Sequence, residues 1–222
     1  MLLFRQGAIA MRTILLAAAM FTSIAAAPAS QPATTLAQPA TTRAADVQDP
    51  PKIHRMHFGQ LGRDGWYAAR STGSGFTISM PTKFNDITVS RHDADGMLVT
   101  THMVASSEFT GAHYSASATS SAGFPLPPNA IGLYVETLSK LGEVRQKRSV
   151  RADGTDAMEL EIKTEKTVAR FRIAQRDNVI YKLTVEVTGQ GIPPAEDAAA
   201  EKFFESFRFP IPEAINAPGS TA

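Results

Sequence analysis

The sequence predicts an α+β fold: an antiparallel β-sheet, built as a meander, with helices packed on it. Three observations carry this. The segment Tyr181-Lys182-Leu183-Thr184-Val185-Glu186-Val187 alternates apolar and polar residues strictly, as a strand with one buried face does. Phe171 and Ile173 alternate with Arg170 and Arg172, and Met158, Leu160 and Ile162 with Glu159, Glu161 and Lys163. Two other segments repeat their apolar residues at three- and four-residue steps instead. The order is strands, helix, strands, helix, which suits a sheet with helices segregated onto a face.

The three C-terminal strands follow one another through short connections, so they pair antiparallel. Cross-strand partners share a face. A connection over residues 164–167 therefore sets Glu161 opposite Arg170 and Glu159 opposite Arg172. These charges are expected on the solvated face, where each pair contributes ~0.2–1 kcal/mol and serves mainly to specify register. The next turn, Arg176-Asp177-Asn178, suits a three-residue loop with Asn178 left-handed.

The first helix is predicted from Ile131, Tyr134, Val135, Leu138 and Leu141, capped by Asn129 and ended at Gly142. The second is predicted over residues 194–207, with Ala199, Ala200, Phe203, Phe204 and Phe207 as its apolar stripe. Glu196 and Asp197 occupy its first turn, where the helix dipole favours acids. In the first half, Phe76–Met80 reads as a strand stopped by Pro81, and residues 86–91 as another. Residues 92–96 read as a turn, 97–105 and 112–119 as a hairpin, and 123–128 as a loop. Residues 57–75, with Trp66 and Tyr67, either join the sheet or lie across it.

The termini differ in composition. Arg5 and Arg12 precede an uncharged apolar run, residues 14–27, which ends in the small residues Ala25-Ala26-Ala27-Pro28-Ala29. A basic region, an apolar core and a small-residue cleavage site read as a secretory signal over residues 1–29, with Met11 an alternative start. The run is shorter than the ~20 apolar residues of a spanning helix, so no stable membrane insertion is expected after cleavage. Localisation is expected to be exported, periplasmic or extracellular. Residues 30–56 are rich in Pro, Ala and Thr and nearly repeat Gln31-Pro32-Ala33-Thr34-Thr35 at Gln38-Pro39-Ala40-Thr41-Thr42, as a disordered linker would. A single domain over 57–209 and a flexible tail over 210–222 complete the expected organisation.

The chain has no cysteine, which excludes disulfides and lipidation at a cysteine. Losing residues 1–29 removes Arg5 and Arg12 and no acid, so the 22 basic and 21 acidic residues become 20 and 21, a formal charge of −1. A near-neutral domain lacks the basic footprint of a nucleic-acid binder.

Several residues carry candidate chemistry. His54 and His57 are three apart, a helical metal spacing, but Pro50-Pro51 and Gly59 flank them closely and no acid or cysteine lies nearby. No physiological metal and no cofactor is expected. His92-Asp93-Ala94-Asp95 lacks the length and terminal Glu of a calcium loop. His102 and His113 fall on adjacent predicted strands, and His113 shares a face with Ser115 and Ser117, which points to solvent. Gly73-Ser74-Gly75 lacks the Gly-x-Ser-x-Gly spacing of a nucleophile elbow. The remaining surface is basic. Arg145, Lys147, Arg148 and Arg151 crowd one predicted strand, either as an anion-binding face or as charges that protect a sheet edge.

The element order, with Gly75-Phe76-Thr77-Ile78-Ser79-Met80-Pro81, Phe84, the 131–141 helix, the 145–187 meander and the closing Ala-Glu-Lys-Phe-Phe-Glu-Ser-Phe-Arg-Phe at 200–209, resembles the PsbP-like sandwich family. That resemblance implies an exported, non-enzymatic accessory or binding protein that docks on a protein or envelope ligand. The alternative is a secreted hydrolase or metal-dependent enzyme built on His54, His57, His92 or His102.

Overall fold

The computed structural model describes residues 49–93, 96–108, 111–122 and 125–211. Among the described residues, ten strands and two helices run in the order β1 (Lys52–Phe58), β2 (Tyr67–Arg70), β3 (Thr77–Met80), β4 (Phe84–His92), β5 (Leu98–Ser106), β6 (Ala112–Ser121), α1 (Ala130–Ser139), β7 (Glu143–Ala152), β8 (Thr155–Lys163), β9 (Thr167–Arg176), β10 (Val179–Thr188) and α2 (Pro194–Glu205). Eight strands form one sheet in the order β1-β4-β5-β6-β10-β9-β8-β7, and β2 pairs with β3 alone. Every pairing is antiparallel.

The predicted α+β class is thereby corrected. Of the described residues 54% are strand and only 14% helical, so the domain is closer to all-β. The shortfall came from edge and hairpin strands without apolar alternation. β1 is almost wholly exposed along its length, and the composition of Lys52–Met56 groups it with the predicted linker. The tract before residue 49, including the expected signal at 1–29, and the end of the tail at 212–222 lie outside the described residues, as do parts of the 92–96 turn and the 123–128 loop.

The helices are not segregated onto one face. Ile180 and Tyr181 are neighbours on β10 yet enter different apolar clusters. On Ile180's face, Leu160, Ile162, Phe171 and Ile173 pack beneath Ala130, Tyr134, Val135 and Leu138 of α1. On Tyr181's face, Leu183, Val185, Ala116 and Ala118 pack beneath Ala200, Phe203 and Phe204 of α2 and beneath the β2–β3 hairpin. Phe207 and Phe209 close this second core, Phe209 standing edge-on to Tyr181 at 4.9 Å. The hairpin is tied to the exit of α2 by a backbone bridge between Thr77 and Arg208 and by Ser79 N–H donating to Ser206 Oγ at 2.9 Å. Trp66 and Tyr67 pack against this core, so residues 57–75 lie partly across the sheet rather than within it.

The predicted register holds: Glu161 faces Arg170 and Glu159 faces Arg172. Their predicted solvation does not. Glu159, Arg170 and Arg172 are all buried, because α2 roofs the face that carries them. The β9–β10 turn is also tighter than expected. Arg176 pairs directly with Val179, leaving Asp177-Asn178 as the loop, and the left-handed residue is Asp177 (φ 55°). The β7–β8 turn, Asp153-Gly154, has positive φ at both residues, the geometry that matches strand twist in a two-residue hairpin. Gly142 does not end α1 through a left-handed conformation. It lets the chain pass β8, where a Cβ would collide with the Lys163 carbonyl oxygen.

Candidate functional site

The first charged cluster is structural in its geometry. Glu159 Oε1 accepts from Arg148 Nε at 2.9 Å, Arg148 Nη2 at 2.5 Å and Arg170 Nη2 at 3.0 Å. Its Oε2 accepts from Arg172 Nε at 3.1 Å and Nη2 at 2.7 Å. From α2, Asp197 and Glu201 each take a 2.5 Å hydrogen bond from Arg170. The Arg170 and Arg172 guanidinium groups also stack on Phe204. Burial works against the charge of Glu159, but the hydrogen bonds from Arg172, Arg148 and Arg170 outweigh it and hold its pKa below the ordinary value. A buried acid so fully paired has no lone pair free for a substrate.

This cluster draws in Arg148, one of the four residues of the predicted basic face. Strand alternation puts Arg148 on the α2 side, bonded to Glu159, with Lys147 and Arg151 on the other. Arg145 sits at a register shift and donates to the Gln190 carbonyl at 3.0 Å; Arg151 donates to the Gly154 carbonyl. Arg148 and the pair Lys147 and Arg151 therefore lie on opposite faces of β7. They line the exposed outer strand of the sheet, where charge discourages stray pairing.

The second cluster lies at the opposite end of the sheet, where β1, β4 and β5 meet the turn between β2 and β3. Pairing sets Arg55 opposite Asp86 and Thr88 opposite His102. His54 Nε2 and His102 Nδ1 each lie 2.8 Å from Thr88 Oγ1. One hydroxyl proton serves only one ring, so the other ring supplies an N–H. The backbone at Gly73 lies against His102, and a Cβ there would collide with the imidazole. Burial lowers the pKa of His102, the neighbouring His54 lowers it further, and Asp86 opposes both.

Asp86 is fully buried, and its Oδ2 gathers every bond described for the carboxylate. It accepts from Arg55 Nε at 3.1 Å and Nη2 at 2.6 Å, and from Thr72 N–H at 3.0 Å and Oγ1 at 2.6 Å. Oδ1 has no partner. Arg55 Nη2 also donates to the Arg70 carbonyl. Beside this knot an open hollow of about 280 Å³ is lined by Arg55, Arg70, Ser71, Thr72 and Gly75.

Of the histidines proposed for chemistry, the structure brings together only His54 and His102. His57 is exposed at the end of β1, where its backbone N–H donates to Asn85 Oδ1, and His92 is exposed at the end of β4. His113 differs from its predicted solvation: its Nε2 is buried without a partner, and burial lowers its pKa. Among the described residues no three His, Cys, Asp or Glu side chains gather as metal ligands, and no helix is long and apolar enough to cross a membrane. Sequence reasoning missed Arg55, Asp86, Thr72 and Arg70. Asp86, Thr88 and Ser90 alternate with Ile87 and Val89, which reads as an ordinary solvated face. The carboxylate is covered from a distance in sequence, by Arg55 of β1 and by Thr72 of the turn at 71–75.

No protein-family model, curated protein or solved structure matches the chain. Fold and site together define an antiparallel sheet domain, roofed on both faces, with a polar hollow where the β2–β3 hairpin meets the sheet.

Proposed function

We propose that this chain is an exported, non-enzymatic binding domain, held by no cofactor, that engages a protein or envelope ligand. The single observation behind this reading is where the Asp86 carboxylate is spent. A catalytic triad needs its acid on the histidine, so that the imidazole is oriented and its positive form stabilised. Here the acid bonds Arg55 and Thr72, and neither histidine. The one hydroxyl between the rings, Thr88 Oγ1, is engaged by both. The cluster is thus a brace that stiffens the wall of a hollow. The apolar run at residues 14–27 behind Arg5 and Arg12 supports export, and the resemblance to PsbP-like accessory proteins supports a docking role.

The test is a turnover assay on the protein as secreted, with chromogenic ester, phosphate and glycoside substrates, with and without added Zn²⁺ or Mn²⁺. The expected result is no rate above that of the His54→Ala/His102→Ala variant. A rate that vanishes in that variant overturns the reading in favour of the hydrolase alternative. Export is checked by fractionating cells that express the full chain. Retention of the uncut protein in the cytoplasm overturns that part.

A further inference from the structure

We infer that the hollow between β1 and the β2–β3 turn is a binding site for a single carboxylate group of a small ligand or chain terminus. The inference rests on the binding-domain reading above and names the ligand chemistry. Three features of the hollow carry it.

The first is a pinned guanidinium. Arg55 is fixed by two bonds to Asp86, one to the Arg70 carbonyl, and by stacking over Phe58 at 4.9 Å and Phe84 at 5.5 Å. Those bonds use Nε and Nη2 and leave Nη1 unassigned. A donor held this firmly loses little freedom when it takes a ligand, so more of its hydrogen-bond energy appears as affinity. The second feature is Arg70, which is exposed on the hollow's wall with no carboxylate paired to its guanidinium among the described residues. Two arginines thus line one hollow, and hydrogen bonds from a guanidinium to a carboxylate are among the strong, charge-assisted ones. The third is Ser71, which lines the hollow although its side chain is almost completely buried. Its Oγ accepts from Ser74 Oγ at 3.0 Å and keeps its own proton to donate.

Charge selects the ligand. Arg55 and Arg70 bring two positive charges and Asp86 one negative, so one monoanion neutralises the site. Phosphate monoesters, at −1.5 to −2 near neutral pH, overshoot it and meet the buried Asp86 charge. Phosphate is therefore expected to bind less well than carboxylate, although both are oxyanions.

The experiment is a thermal-shift titration of the full chain with acetate, inorganic phosphate and chloride at matched ionic strength. A ligand that binds only the folded protein raises its melting temperature saturably with concentration. Acetate is expected to do so more strongly than phosphate, with chloride inert. Arg70→Gln changes an exposed side chain and is expected to fold normally while weakening acetate roughly 10-fold, the loss of about one charge-assisted bond. Lys147→Gln, at the far edge, is the control and is expected to leave the titration unchanged. No saturable shift with acetate, or an equal shift in Arg70→Gln, overturns the inference and leaves the binding-domain reading standing. A preference for phosphate overturns the choice of carboxylate. Turnover lost in His54→Ala/His102→Ala defeats the underlying reading whatever acetate does.

Discussion

Replacing Glu159 by glutamine removes the one acid that three guanidinium groups share. Glu159 accepts five hydrogen bonds, from Arg148, Arg170 and Arg172. With Asp197 and Glu201 opposite, the cluster balances three positive against three negative charges. Glutamine leaves it one positive charge in excess and turns an N–H₂ toward at least one guanidinium. Removing one partner of a buried ion pair costs ~3–5 kcal/mol, because the charge left behind stays desolvated. For a domain of this size that is a fall in melting temperature of roughly 6–20 °C. The assay is urea unfolding followed by fluorescence of Trp66, the only tryptophan. The pH dependence checks the cause. A carboxyl with a lowered pKa stabilises the fold fully above its unfolded value of about 4.3, and that contribution is lost as pH falls through the folded pKa. The gap between wild type and Glu159→Gln is therefore expected to be full at pH 7 and to close in acid. Glu159→Gln/Arg172→Met, which restores neutrality, is expected to recover part of the loss. A cost under ~1 kcal/mol at neutral pH, or a gap that ignores pH, refutes the reasoning.

Further expectations concern packing and protonation. Gly142→Ala forces a Cβ onto the Lys163 carbonyl and is expected to cost ~1–3 kcal/mol, whereas Gly132→Ala, in α1 with open space around it, is expected to stabilise by up to ~1 kcal/mol; equal signs by chemical denaturation contradict the close-approach account. Phe203→Ala empties a fully buried site against Tyr114 and is expected to cost ~3–5 kcal/mol, read from the urea midpoint; a loss under ~1 kcal/mol contradicts the α2 core. Burial, and for His102 also His54, lowers the pKa of His102 and His113, so the unfolded chain binds protons that the folded one refuses. Stability is expected to fall as pH drops through about 6.5 and below, and less so in His102→Gln/His113→Gln; parallel profiles contradict it.

The sequence by itself determined the local geometry of the second half. Alternation marked β8, β9 and β10, and opposite charges fixed Glu159 on Arg172 and Glu161 on Arg170, because strand partners joined by a short turn are neighbours along the chain. The apolar stripe at Ala200, Phe203 and Phe204 likewise placed α2. What only the tertiary structure decided was coverage. A period of two says that a strand's faces differ, not which is roofed, so Arg170, Arg172 and Glu159 read as solvated until α2 lies over them. Edge strands carry no such period, because neither face is fully buried, and β1 escaped for that reason, whereas β7 was marked by its run of basic residues. The hollow depended on still longer reach. His54 and Thr88 are 34 residues apart, and Arg55 and Asp86 are 31. Such meetings are made by strand order and by one turn folding over a sheet, which no local pattern encodes.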